Sequence, residues 1–291
     1  MNRASEIKKV LTIALLLNIG VSSLKLIYGF MTSTLSMIAD GFHSLADAAS
    51  SVLGLVAIHF SDKPSDDDHH YGHFKYETMA ALGIAIFIGI TSWEILKHAI
   101  HKLISHETAL FHYSGIPIMI IGMIINLVLS RYEAKKGKKF KSLVLEADAY
   151  HTASDFWVSL SVIISILCIK FGILWADPIV SILIAIYFAR VAIKVSKETF
   201  MALSDAAYID ISRVQRIIEK VPGVISGHHI RTRGKPGQAF IDLHIQVSPD
   251  TDTYTSHKIA HEIEEHIKDE ITGVHDVLIH TEPYPDPDDV A

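Results

Sequence analysis

The chain has 291 residues, of which 49% are hydrophobic and only 20% charged. Its mean hydropathy of +0.32 is too apolar for an ordinary soluble domain of that length. A net charge of −6 leaves no basic footprint for a polyanion, so nucleic acid is excluded as a partner, and the lone cysteine, Cys168, excludes an intramolecular disulfide framework.

A helix that crosses a bilayer takes about 20 apolar residues. Six segments are long enough: 10–30, 34–60, 79–104, 113–131, 142–169 and 174–195. The first follows the charged "MNRASEIKK" and runs on without a small-residue cleavage site, so a retained span is expected rather than a signal peptide. Basic residues near the span ends set the orientation. Arg3, Lys8 and Lys9 precede the first span, and "RYEAKKGKKFK" between the fourth and fifth holds Arg131 and five lysines, whereas the link between the first two spans has none. Both termini are therefore expected in the cytoplasm of a multi-pass protein of the cell (inner) membrane.

Two of the spans carry titratable groups where lipid should be. "ADGFHSLADAAS" (39–50) and "EADAYHTASDFW" (146–157) share the skeleton Asp-x-x-His-x-x-x-Asp, as Asp40, His43, Asp47 and Asp148, His151, Asp155. Spacings of three and four stack these side chains on one helix face. Charge within a span is costly and usually functional, and a motif present in two spans suggests one site built from both. Two imidazoles and two carboxylates suit tetrahedral Zn²⁺ and admit Fe²⁺, Co²⁺, Cd²⁺ or Mn²⁺. Because metal ligands must be deprotonated, metal and protons compete for them. Asp40 and Asp148, one turn earlier, could orient the histidines.

After about residue 205 the pattern turns polar and mixed. "DISRVQRIIEKVPG" reads as a helix with a Pro-Gly stop, "GHHIRTR" and "AFIDLHIQV" as strands around "GKPG", "YTSHKIAHEIEEHIKDEI" as an amphipathic helix and "VHDVLIH" as a third strand. The order α-β-β-α-β fits a ferredoxin-like α/β domain with helices on one face. In the second strand Ile241, Leu243, Ile245 and Val247 alternate with Asp242, His244 and Gln246, so His244 falls on a polar, presenting face. "HEIEEH" (261–266) is not the zinc-protease motif, because its histidines are five apart and do not share a helix face.

The six spans, the paired His-x-x-x-Asp motifs, the connector "DDDHHYGHFKYE" (66–77), the Asp177-Pro178 pair and the tail together resemble the cation diffusion facilitators, most nearly their bacterial zinc and iron type proton antiporters. That resemblance implies a transport domain over 1–205, with His43, Asp47, His151 and Asp155 as the transport site, and a cytoplasmic metal-binding and dimerisation domain over 206–291. Some bacterial members carry Asp where His43 stands, and His here points toward zinc. The resemblance further implies a second, exposed metal site at Asp66, His69 and His73, and a pairing of Lys75 with Asp205. It implies a binuclear site of His228, His244, His257, His280 and Glu282 that stabilises a homodimer, with Glu282 where some relatives carry Asp. The expected activity is efflux of a divalent cation, Zn²⁺ foremost, in exchange for protons. A membrane-embedded metal hydrolase would need an open metal position beside a general acid or base, and a membrane-anchored metal sensor would not need ligands in two spans. Metal flux into sealed vesicles separates both from a transporter.

Overall fold

The computed structural model describes residues 3–31, 35–105, 116–170 and 176–285. The side chains of Asp40, His43 and Asp177 lie outside the described ones, so these positions are placed by backbone alone. Two compact units meet in sequence between Phe200 and Met201.

The first unit holds α1 (Arg3–Met31), α2 (Leu35–Ser61), α3 (Lys75–Ser105), α4 (Ile116–Phe140), α5 (Leu143–Lys170) and all but the last three residues of α6 (Ala176–Leu203). At 1.5 Å per residue even the shortest is about 37 Å long, more than the ~30 Å hydrocarbon layer. Among the described residues α1, α3, α4 and α6 are apolar and long enough to cross a membrane. Their outward faces carry Leu24, Ile27, Phe30, Trp93, Val128 and Ile193, each half exposed or more, as a lipid-facing surface would. The fourth helix differs from the sequence expectation of a span ending at 131, because it continues to Phe140. Hydropathy marks where apolar residues stop, but Glu, Ala and Lys are strong helix formers and carry the helix on.

α1 packs on α2, α4 on α5, and α3 on both α2 and α5, with α2 and α5 also in contact. Two of these approaches need glycine. A Cβ at Gly41 would lie 2.7 Å from Leu26 Cγ, and one at Gly137 would lie 2.8 Å from Glu146 Cγ and 3.1 Å from its backbone nitrogen. Ser22 Oγ donates to the Gly41 carbonyl at 2.7 Å, which pins α1 to the motif-bearing stretch of α2. Ile7, Leu11, Ile58, Ile84, Ile88, Leu145 and Phe188 fill the core. Near the α4–α5 turn, fully buried Glu77 accepts the Arg3 guanidinium at 3.1 Å and Ser142 Oγ at 2.6 Å, tying α1, α3 and the start of α5 together. The α2–α5 contact joins the two helices that each carry one copy of the repeated motif.

The second unit comprises α7 (Ile211–Ile218), β1 (Ser226–Lys235), β2 (Gln238–Val247), α8 (Thr253–Glu270) and β3 (Val274–Pro283). The sheet order is β1-β2-β3, with β1 antiparallel and β3 parallel to the central β2. This is the α-β-β-α-β domain that the sequence pattern predicts. Ile241, Leu243, Ile245 and Val247 of β2 pack with Val214, Ile217 and Ile218 of α7 and with Ile259, Ile263 and Ile267 of α8, so both helices cover one face of the sheet. Gln246 departs from the expected polar alternation. It is buried, because Ser226 Oγ donates to its side-chain oxygen at 2.6 Å across the β1–β2 pair. Asp252 caps α8, and hydrogen bonds from the Thr255 hydroxyl and backbone hold its carboxyl below the usual carboxylate range.

Candidate metal centres

The α2–α5 contact brings the two motif copies together. Asp47 and His151 are 8% and 3% exposed, and His151 Nε2 lies 3.6 Å from Asp47 Oδ1. That gap is too long for a hydrogen bond, and among the described residues neither ring nitrogen of His151 has a hydrogen-bond partner. An imidazole with two bare nitrogens is costly in a core and is poised to ligate a cation. Asp155 lies one turn further along α5 and is half-buried, with Ser154 Oγ 3.5 Å from its Oδ1. His43 stands one turn before Asp47 on α2. Asp148 does not orient His151 by a direct hydrogen bond; it accepts Ser50 Oγ at 2.7 Å and Ser51 Oγ at 3.2 Å, linking α5 to α2.

Strand register builds a second centre in the tail. β1 and β2 pair His228 with His244, and β2 and β3 pair His244 with His280, so three imidazoles stand in a row across the sheet. Glu282 follows two residues later on the same face. Its Oε1 lies 2.6 Å from His244 Nδ1 and 3.5 Å from His280 Nε2, and its Oε2 lies 3.1 Å from His228 Nε2. One carboxylate thus faces three imidazoles. His257 is not gathered with them. α8 covers the opposite face of the sheet, and the exposed His257 ring lies 4.4 Å from that of His261 instead.

The connector forms a third cluster. Asp66 Oδ1 accepts the backbone N–H of His69 at 2.8 Å and lies 3.2 Å from His69 Nδ1, while Asp66 Oδ2 lies 3.3 Å from His73 Nε2. The turn reaches His73 through Gly72 at φ +81°, a conformation L side chains rarely adopt. His73 Nδ1 is 3.1 Å from the Pro64 carbonyl, which favours a proton there and leaves Nε2 facing Asp66. Slight desolvation pushes the Asp66 carboxyl upward, but hydrogen bonds from His69 and the nearby His73 imidazole outweigh it and hold the group below its ordinary value. It is therefore an anion at neutral pH.

The chain is similar to known proteins over nearly its whole length. Residues 11–204 match the cation efflux transmembrane domain family and residues 206–284 match the cytoplasmic domain of cation efflux proteins. The chain belongs to the cation efflux family. Among relatives that match nearly end to end, the manganese efflux system protein MneS of Bacillus subtilis is 32% identical, covering 93% of this chain and 94% of its own. An uncharacterised transporter of Methanocaldococcus jannaschii is 31% identical over 94% of this chain and 95% of its own. The cation-efflux pump FieF of Serratia proteamaculans is 29% identical, over 89% and 87%. This cation efflux protein is accordingly a membrane transporter of divalent cations.

Two residues of this cation efflux protein escape a reading of sequence alone. His229 sits at φ +48° where the β1–β2 register breaks between His228 and Arg231. The bulge turns its ring toward the row, 4.9 Å from that of His228 and 5.1 Å from that of His244, and ligand atoms of these three histidines lie within 4.8 Å of one another. Strand alternation would have sent His229 to the other face, so only the bulge reveals it. Glu133 on α4 is fully buried with neither carboxylate oxygen hydrogen-bonded. It lies just past the apolar run, where it reads as part of a basic loop.

Proposed function

We propose that this protein exports Zn²⁺ from the cytoplasm in exchange for protons, as a homodimer in the cell membrane with both termini on the cytoplasmic side. The observation that carries the reading is the buried His151, with two bare ring nitrogens 3.6 Å from Asp47 on a facing helix. With His43 and Asp155 the set has two nitrogen and two carboxylate donors, which suits tetrahedral Zn²⁺ and neutralises a dication inside the membrane. Imidazole nitrogen is a base, so the same atoms take protons once metal leaves. A proton on the nitrogen removes the lone pair that held the ion.

In the tail His228, His229, His244, His280 and Glu282 would hold resident metal. Imidazoles converging on one carboxylate fit Zn²⁺ chemistry, and a metal on this open sheet face would brace a dimer. Asp66, His69 and His73 would take a further ion at the connector.

Mn²⁺ is the second reading. MneS and another relative, the manganese efflux system protein MneP of Bacillus subtilis, 30% identical over 95% of this chain and 96% of its own, are named for it. Mn²⁺ prefers oxygen donors, whereas His43 and His151 are nitrogen donors. Competition among Zn²⁺, Cd²⁺, Fe²⁺, Co²⁺ and Mn²⁺ for uptake into proteoliposomes decides between them. Zn²⁺ should rank first, and His43→Asp, which adds a hard oxygen donor, should move Mn²⁺ and Cd²⁺ up the ranking. An unchanged ranking in that variant would remove His43 from the ligand set, and Mn²⁺ ahead of Zn²⁺ in the wild type would overturn the zinc reading.

A further inference from the structure

We infer that Glu133 and Asp148 form a cation-binding subsite of oxygen donors, one helical turn from the transport site toward the α4–α5 turn, where a hard divalent cation pauses on its way in. The inference rests on the transport-site reading above. Asp148 precedes His151 by one turn of α5, and Ser50 and Ser51, which donate to Asp148, follow Asp47 by one turn of α2. Both motif helices therefore place oxygen groups on the same side of the transport site. α4 adds Glu133 to them.

The acidic cluster alone would say little, but Glu133 is 0% exposed and both its carboxylate oxygens lack any hydrogen-bond partner. α4 packs on α5, where Thr152 and Asp148 lie close to the Glu133 carboxyl and Asp155 lies near enough to be felt as a charge. Thr152 and Asp148 lie within its reach without hydrogen-bond alignment, and both are buried, at 2% and 1% exposure. The neighbouring cation on α4, Lys136, is turned away to Glu6 of α1 at 3.5 Å and does not compensate this charge. A buried carboxylate without donors, set against two more, is unfavourable; a divalent cation coordinated between Glu133 and Asp148 would relieve it. The hydroxyls of Ser50 and Ser51 on Asp148, and of Thr152 beside Glu133, are further hard oxygens next to the pair. Carboxylate and hydroxyl oxygens without nitrogen suit a loosely held hard ion, the property a waypoint needs if the ion is to move on to the nitrogen-bearing site.

The test uses the full chain. Initial rates of Zn²⁺ and Mn²⁺ uptake into everted vesicles are measured against metal concentration for wild type, Glu133→Gln and Glu133→Asp. The isosteric glutamine should raise KM on the order of tenfold while the saturating rate stays within about twofold, and the aspartate, which keeps the charge, should restore most of the KM. Equilibrium dialysis with Mn²⁺ provides the second measurement. In an Asp155→Ala background, where the transport site is disabled, Glu133→Gln should remove one further weakly held ion per chain. An unchanged KM with an unchanged ion count, or equal impairment by glutamine and aspartate, would overturn the subsite. If Asp155→Ala instead transports like wild type, the transport-site reading fails, and the ion count in the Glu133 variants still decides the subsite by itself.

Discussion

Asp155→Ala is expected to bring metal flux down to that of vesicles lacking the protein, a loss on the order of 100-fold or more, with the helical unit still folded. In the proposed transport site Asp155 supplies one of the two carboxylates that would balance a dication between α2 and α5. Without it the bound ion keeps an unbalanced charge in a low-dielectric setting, which costs several kcal/mol, and one of four coordination positions is empty. Asp155→Asn should behave alike, because it keeps the shape and one oxygen but loses the charge. Folding is monitored by the elution volume of the purified chain and by retention of tail metal, since those ligands belong to the other unit. Wild-type flux in either variant removes Asp155 from the transport site.

Glu282→Ala should strip metal from the tail and weaken association of the chains. His244, His280 and His228 lie 2.6, 3.5 and 3.1 Å from the two oxygens of this one carboxylate, so its removal leaves imidazoles with no anion to balance a dication. Loss of a structural metal removes its binding energy from the fold it stabilises. Metal content per chain should fall by at least one ion, and the dimer should dissociate at protein concentrations where the wild type does not. Glu282→Asp keeps the charge on a stem shorter by one methylene and should retain part of the metal. A wild-type metal content in Glu282→Ala places the tail ion elsewhere.

The parts of this architecture that a sequence can disclose are those governed by periodicity. Spacings of three and four put Asp148, His151 and Asp155 on one helix face, and the second copy at Asp40, His43 and Asp47 implies a partner helix. Contact between α2 and α5 then follows from the chemistry. Alternation in β2 separates Ile241, Leu243 and Ile245 from His244, and the glycine-rich 234–237 turn joins the two antiparallel strands. What depends on irregular backbone or helix packing is not disclosed. His229 joins the histidine row because a bulge at φ +48° reverses its face, and no period-2 rule contains that. Glu133 gains its meaning only when α4 extends to Phe140 and lies against α5. The reverse holds for His257, which the family resemblance places in the tail site, whereas within this chain α8 sits on the other face of the sheet.

The exchange of metal for protons is tested most directly by Zn²⁺ accumulation in everted vesicles, with the interior acidified and then with the proton gradient collapsed by an ionophore. In the proposed mechanism, protonation of His43 and His151 on the acidic side would take away their lone pairs and set positive charge beside the ion, expelling it. On the cytoplasmic side, in the proposed exchange, the incoming metal takes the imidazole lone pairs as the protons depart. Accumulation against a Zn²⁺ gradient should therefore stop when the proton gradient is collapsed, and each zinc entering should be accompanied by alkalinisation of the vesicle interior. Uphill zinc accumulation that persists with no proton or other ion gradient would contradict the account.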